Sequence, residues 1–196
     1  KKYLIKQRVK SVNLDKLDSI FESYLISNNL YGPKDDVIIK SFCTNMGNQD
    51  VIGKTSDYEA WIIASLSKKS KNIFEFGTCS GKTTSLMAMN SPDDAKIITL
   101  TIDLNQAKNL EIDEKDNTTS FRNIINESQY EKFLFSGKVF EKKIDVKFLD
   151  SRNLDTLSYK NKFDLIFIDG GHTYSIVKND SLKAFEMIKK GGIILW

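Results

Sequence analysis

Residues 73–90 read IFEFGTCSGKTTSLMAMN, an apolar run, a glycine loop and a segment of helical character in immediate succession. Gly77, Gly81, Lys82 and Thr83 come close to the G-x-x-x-x-G-K-[ST] loop that cradles nucleotide phosphates. That pattern needs a glycine at position 76, where Phe76 stands, so the loop is one residue short. The dinucleotide pattern G-x-G-x-x-G also fails, because Cys79 occupies the place where the backbone must approach a pyrophosphate. What remains is a strand, a glycine turn and a helix, the unit that opens an α/β sheet.

Working outward, NIFEFG, KIITLTID, DVKFLD and FDLIFIDGG are short apolar runs ending in or near an acidic residue, and GGIILW ends the sequence. They read as buried strands. Helical segments lie between them: GKTTSLMAMN, a stretch near 119–135, and YSIVKNDSLKAFEMIKK, in which Val177, Ala184, Phe185 and Ile188 share one face. The alternation predicts a doubly wound, mostly parallel sheet with helices on both faces. Upstream, residues 13–30 and 56–69 have helical spacing, and Ser56 with Glu59 forms a capping box. We expect an N-terminal helical segment over 1–50 and an α/β domain over 51–196. The stretch from Leu104 to Lys143 is long for a connection, and EIDEKDNTTS within it has the polarity of a mobile loop.

Composition narrows the class. With 196 residues, 40% hydrophobic and 28% charged, the chain has enough apolar material for one core. Its net charge of +3 is spread among alternating acids and bases, which argues against a nucleic-acid partner. Two cysteines, Cys43 and Cys79, make no disulfide framework. Without a membrane-length apolar run or a signal-peptide core, the expected location is the cytoplasm.

Charge also selects the ligand. Glu75, just before the glycine loop, would repel a polyphosphate and attract an ammonium group. Asp103 ends the second strand, where a carboxylate can accept from both ribose hydroxyls. Asp150 and Ser151 follow the third strand, where they can address the edge of an adenine. Such a cleft suits a ligand with an amino group, a ribose, an adenine and no phosphate.

These motifs, FEFGTCSGKTTS, ITLTIDL, VKFLDSRNLD and the run from FDLIFIDGGHTY to GGIILW, resemble those of class I methyltransferases that use S-adenosylmethionine (SAM). The similarity is to the small-molecule O-methyltransferase branch that includes macrocin-type enzymes, with E-x-G-T-x-x-G-x-[ST] and I-D-G-x-H-x-Y, and it covers roughly residues 50–196. It implies a Rossmann-like fold with strands in the order 3-2-1-4-5, and transfer of a methyl group to a hydroxyl of a small molecule, such as a sugar or secondary metabolite. It also implies Glu75, Gly77, Thr78 and Gly81 around the methionine part of SAM, Asp103 on the ribose, and Asp150 with Ser151 on the adenine. Lys82 should then point to solvent, and Cys79 is a small loop residue rather than a nucleophile.

His172, the sole histidine, follows Asp169 by three residues in IDGGHTY. A neutral imidazole there can remove the acceptor's proton. In related metal-dependent members an aspartate at this strand end helps hold Mg²⁺, which makes Asp169 the candidate metal ligand. Family members continue past the fifth strand with an acidic or His-Asp pair, a helix and two more strands. The sheet is therefore expected to stop after strand 5, with an apolar edge that invites association with another chain, such as a second copy in a homo-oligomer, or disorder at the terminus. Two other readings stay open: a non-catalytic SAM-binding module, and a phosphate-loop NTPase with DLIFID as its Mg²⁺ motif. A nucleic-acid amino-methyltransferase is disfavoured, since IDGG stands where those enzymes carry N-P-P-[YF].

Overall fold

The computed structural model describes residues 55–196 except 112, 114, 115 and 117, together with 21–22 and 32–33. The chain divides into two compact units, 1–39 and 40–196, a boundary earlier than the one expected at residue 50. In the first unit, Phe21–Glu22 pairs antiparallel with Gly32–Pro33. The backbone is therefore extended at 21–22, inside the expected helix over 13–30, whose other residues lie outside those described. Cys43 lies outside them too.

Among the described residues the second unit opens with α1 (Asp57–Ser67), started by the expected reciprocal cap: Glu59 N–H donates to Ser56 Oγ at 3.2 Å and Ser56 N–H to Glu59 Oε2 at 2.8 Å. There follow β1 (Asn72–Phe76), α2 (Lys82–Asn90), β2 (Lys96–Thr101), the short α3 (Leu104–Lys108), α4 (Thr118–Glu127), β3 (Ile144–Phe148), β4 (Phe163–Ile168), α5 (Tyr174–Met187) and β5 (Ile188–Leu195). The five strands are all parallel, in the order β3-β2-β1-β4-β5. Among the described residues nothing pairs with the outer edge of β5.

The period of two along each strand sorts the core. Phe74, Phe76, Leu100, Ile166 and Ile168 pack on one side with Ala184 and Met187 of α5. Ile73, Glu75, Ile97, Thr99 and Leu165, of opposite parity, are also fully buried. Phe74 anchors the first layer, its ring centroid 4.8 Å from Phe76 and 5.2 Å from Phe163.

Four expectations change. The third strand, at the edge where the expected order puts it, is not buried: Phe148 is 50% exposed, and Asp145 and Lys147 pair at 2.8 Å on one face. The helix read over 119–135 ends at Glu127 and gives way to turns. α5 stops at Met187, and residues 188–190, expected as its last turn, already belong to β5. Ile188 is extended and pairs with Phe163, and Lys189 forms an ion pair with Asp164. The buried face of α5 is therefore Asp180, Ala184 and Met187, while Val177 is exposed.

Candidate functional site

The glycine loop crosses from β1 to α2 at the carboxyl edge of the sheet, where open α/β folds place their ligands. Gly77 has φ +99°, and a Cβ there would lie 2.3 Å from the carbonyl oxygen of Asp169. Only glycine lets the loops after β1 and β4 touch in this way. Gly81, at φ +78°, caps α2 in the left-handed region, and Cys79 also has positive φ, at 46°. Burial pushes the Cys79 thiol up to about 12, in keeping with an inert loop residue.

Two cavities meet over this loop, sharing Gly77, Cys79, Glu127 and Asp169 in their walls. The smaller, about 80 Å³, runs toward β2 and β3. Its lining carries Glu127, Asp150, Asp169 and Asp180 and no lysine or arginine. The larger, about 420 Å³, is bounded by α1, the start of α2 and the end of β5, with Ile62, Ile63, Phe167 and Trp196 as apolar wall and His172 at its side.

The structure brings Gly77, Asp150, Ser151 and Asp169 to the smaller cavity and Gly77, Thr78, Asp169 and His172 to the larger. The Asp150 carboxylate is gripped by the Arg152 guanidinium, with Nη2 to Oδ2 at 2.7 Å and Nε to Oδ1 at 3.1 Å. Burial would raise this carboxyl, but the Arg152 hydrogen bonds prevail and hold it below the usual range. Ser151 and its neighbours are fixed by Lys183 Nζ, which donates to the carbonyls of Ser151 at 2.5 Å, Arg152 at 2.8 Å and Leu154 at 2.9 Å. His172 Nδ1 lies 2.6 Å from the Gly170 carbonyl, and Nε2 lies 3.9 Å from Asp169 Oδ1. Burial raises the Asp169 carboxyl, with His172 acting the other way and Glu59 adding to the rise.

Four expected residues sit differently, the first being Gly81, which lines neither cavity and lies against the Phe135 ring. Asp103 is exposed and not in the wall of either cavity; it caps α3, with Gln106 N–H donating to Oδ1 at 2.8 Å and Gln106 Oε1 accepting from Asp103 N–H at 2.9 Å. Glu75 does not open onto the cleft: it is fully buried beneath the loop. Lys82 does not point freely to solvent, because its position at the first turn of α2 brings Nζ within 3.0 Å of the Thr55 carbonyl, to which it donates. Among the described residues no group of three or more His, Cys, Asp or Glu side chains is arranged to hold a metal ion, so Asp169 gains no partners for Mg²⁺.

Sequence reasoning missed Glu127 and Arg152. Glu127 ends α4 one turn after Ile124, whose side chain lies against Gly171. A carboxylate three residues after a buried isoleucine shares its helix face, which was the available signal. Burial raises the Glu127 carboxyl; His172 opposes the rise and Asp169 adds to it. The insertion, expected as a mobile loop, is tied down at its described residues: Asp116 accepts from Ser175 N–H at 3.0 Å and Ser175 Oγ at 2.6 Å, and Arg152 Nη1 donates to the Glu111 carbonyl at 3.1 Å.

Comparison with known proteins agrees with this fold. Residues 74–196 match the family described as methyltransferase domain. A protein from Klebsiella pneumoniae provisionally named an O-methyltransferase superposes with a TM-score of 0.51 at 18% identity, over 98% of this chain and 68% of its own. The O-methyltransferase TomG from Streptomyces achromogenes, involved in tomaymycin synthesis and solved with SAM, has a TM-score of 0.49 at 12% identity, over 72% of this chain and 55% of its own. An O-methyltransferase from Bacillus cereus solved with S-adenosylhomocysteine (SAH) has a TM-score of 0.47 at 17% identity, over 72% of this chain and 56% of its own. The chain thus spans roughly half to two thirds of these structures. No curated protein matches it in sequence. With its family match running from the middle of β1 to Trp196, the chain belongs to the methyltransferase-domain family and carries the Rossmann-like fold of class I methyltransferases.

Proposed function

We propose that this chain binds SAM and transfers its methyl group to a hydroxyl of a small molecule. One observation carries the reading: a carboxylate-lined cavity without a cation in its wall opens, across the glycine loop, into a larger cavity flanked by His172. A polyphosphate would be repelled there, whereas a ligand bearing an ammonium and a sulfonium is attracted. The residues fit the donor. Asp150 and Ser151 would face its adenine, Asp103 through its uncommitted oxygen the ribose, and the backbone of Gly77 and Thr78 the methionine part. The smaller cavity is below the roughly 300 Å³ of common ligand pockets, so a nucleoside would have to widen it.

When bound, SAM supplies an electrophilic methyl group. The protein's part is to hold the acceptor and take its proton. Gly170 orients the imidazole so that Nε2 can accept the hydroxyl proton as the oxygen attacks. Apolar side chains of α1 and β5 form one side of the larger cavity, against which an acceptor can pack. The macrocin-type branch, a sugar or secondary-metabolite acceptor and a cytoplasmic location complete the proposal. Among the described residues no helix is long and apolar enough to cross a membrane.

The test is calorimetric titration with SAM, SAH and ATP, followed by transfer of a labelled methyl group to a panel of hydroxylated metabolites. Binding of SAM and SAH with no heat from ATP supports the reading. Competitive binding of ATP more tightly than SAM overturns it.

A further inference from the structure

Glu75 is 0% exposed, and its carboxyl meets two hydroxyls from separate elements. Thr84 of α2 donates to Oε2, and Thr99 of β2 donates to the same oxygen at 2.6 Å. Oε1 is buried without a hydrogen-bond partner. The chain continues upward: Thr78 Oγ1, on the glycine loop, lies 2.7 Å from Thr99 Oγ1. A hydroxyl has one proton. Since Thr99 spends its own on Glu75, the Thr78 hydroxyl must be the donor to Thr99. Direction therefore runs from the loop through Thr99 to Glu75, and the strand register that sets Glu75 opposite Thr99 builds the link into the sheet.

We propose that Glu75 is a positioning residue, which holds the glycine loop in its ligand-receiving conformation from beneath through the relay Thr78 to Thr99 to Glu75. This rests on the reading of the loop as the methyl donor's seat, and it gives Glu75 a different task from direct contact with the donor's ammonium. The relay explains why a strand whose other buried residues are Ile73, Phe74 and Phe76 keeps a carboxyl inside. Thr78 lies in a loop strained at Cys79 and pinned at Gly77, and its hydroxyl ties that loop to the sheet floor.

The relay is sensitive to protonation. Burial pushes the Glu75 carboxyl up to about 8, the two threonine hydroxyls acting against the rise. Asp169, at the end of β4, adds to it with a charge of the same sign, and the Cys79 thiol on the loop senses Glu75 in turn. At neutral pH the group is mostly the uncharged acid. Above about 8 a buried negative charge appears without a cation, and the loop must admit water or shift to solvate it.

The test uses Thr99→Val, Thr99→Ser and Glu75→Gln, each read by SAH titration and by maleimide labelling of Cys79 in a Cys43→Ser background. Thr99→Val keeps shape and removes the link, so SAH affinity should fall about tenfold and Cys79 labelling should quicken at least fivefold. Thr99→Ser should restore both. Between pH 6.5 and 9 the affinity of the parent protein should fall at least fivefold relative to Glu75→Gln, whose amide carries no ionisable proton. Labelling and affinity in Thr99→Val equal to those of the parent would overturn the proposal. So would an identical pH profile in Glu75→Gln, which decides the matter should Thr99→Val not fold. If the parent binds neither SAM nor SAH at any pH, the donor reading falls, and Cys79 labelling still decides whether the relay holds the loop.

Discussion

The Nδ1 atom of His172 lies 2.6 Å from the carbonyl oxygen of Gly170. A carbonyl only accepts, so Nδ1 carries a proton and the neutral ring keeps its lone pair on Nε2. The glycine-flanked loop thus sets the tautomer required of a base before any substrate arrives. We expect His172→Ala to bind SAH within twofold of the parent chain while turnover drops by about 10² to 10⁴, the usual contribution of a positioned proton acceptor. Single-turnover methyl transfer, once an acceptor is found, checks this. Unchanged turnover would reduce His172 to a loop-structuring residue.

Asp103 has two candidate jobs that can be separated. Oδ1 caps α3 by accepting from Gln106 N–H, and Oδ2 takes no part in that bond. Asparagine caps a helix about as well as aspartate, whereas alanine costs about 0.5 to 2 kcal/mol. Asp103→Asn should therefore melt with the parent but bind SAH roughly ten- to a hundredfold more weakly, because a charge-assisted bond to the ribose is lost. Asp103→Ala should lose affinity and some thermal stability together. If Asp103→Asn binds SAH normally, the residue is a cap and the ribose is held elsewhere.

The first four strands were legible because each ends near a chemically marked point: Gly77 after β1, Asp103 after β2, Asp150 after β3 and Asp169 after β4. The junction of α5 and β5 was not. Ile188, Lys189 and Lys190 fit a helical period as well as an extended one, and the partners that decide between them, Phe163 and Asp164, lie some 25 residues away in sequence. Glu75 was misplaced for a related reason. Its nearness to the glycines suggested the cleft, whereas the strand's period of two sets it inside opposite Thr99, and the partner strand is invisible in a local reading. Glu127 was passed over because its stretch, although read as helical, was not sorted into buried and exposed faces.

Two glycines of similar φ should respond differently to the same substitution. Gly77 at +99° has the Asp169 carbonyl 2.3 Å from an added Cβ, while Gly137 at +76° has nothing within 4 Å. Gly137→Ala meets the backbone penalty of the left-handed region, about 1 to 2 kcal/mol. Gly77→Ala must also push the loops after β1 and β4 apart, which should add to the loss of stability and reduce SAH binding beyond detection by calorimetry. Equal melting temperatures for the two variants would mean that the loops do not pack as described.

Asp180 gives a prediction in pH. It is 1% exposed on the buried face of α5, with Asn179 Nδ2 donating to Oδ1 at 2.9 Å, and it forms part of the wall of the smaller cavity. Burial raises its carboxyl to about 6, against the hydrogen bonds from Ser151 and Asn179 and the charge of Lys183, with Asp150 adding to the rise. In the unfolded chain an aspartate titrates near 3.9. Between these values the native protein holds the proton more firmly than the unfolded chain, so this residue's stabilising contribution is full below about 4 and is lost as pH rises through about 6. Asp180→Asn removes the titration and keeps an oxygen to accept from Asn179. Urea unfolding at pH 4.5 and 7.5 should therefore show the variant gaining on the parent at the higher pH; Glu75 shifts both proteins alike and cancels in the difference. A stability difference independent of pH would show that Asp180 titrates in the folded protein as it does in the unfolded one, and that the cavity wall is wetter than its burial implies.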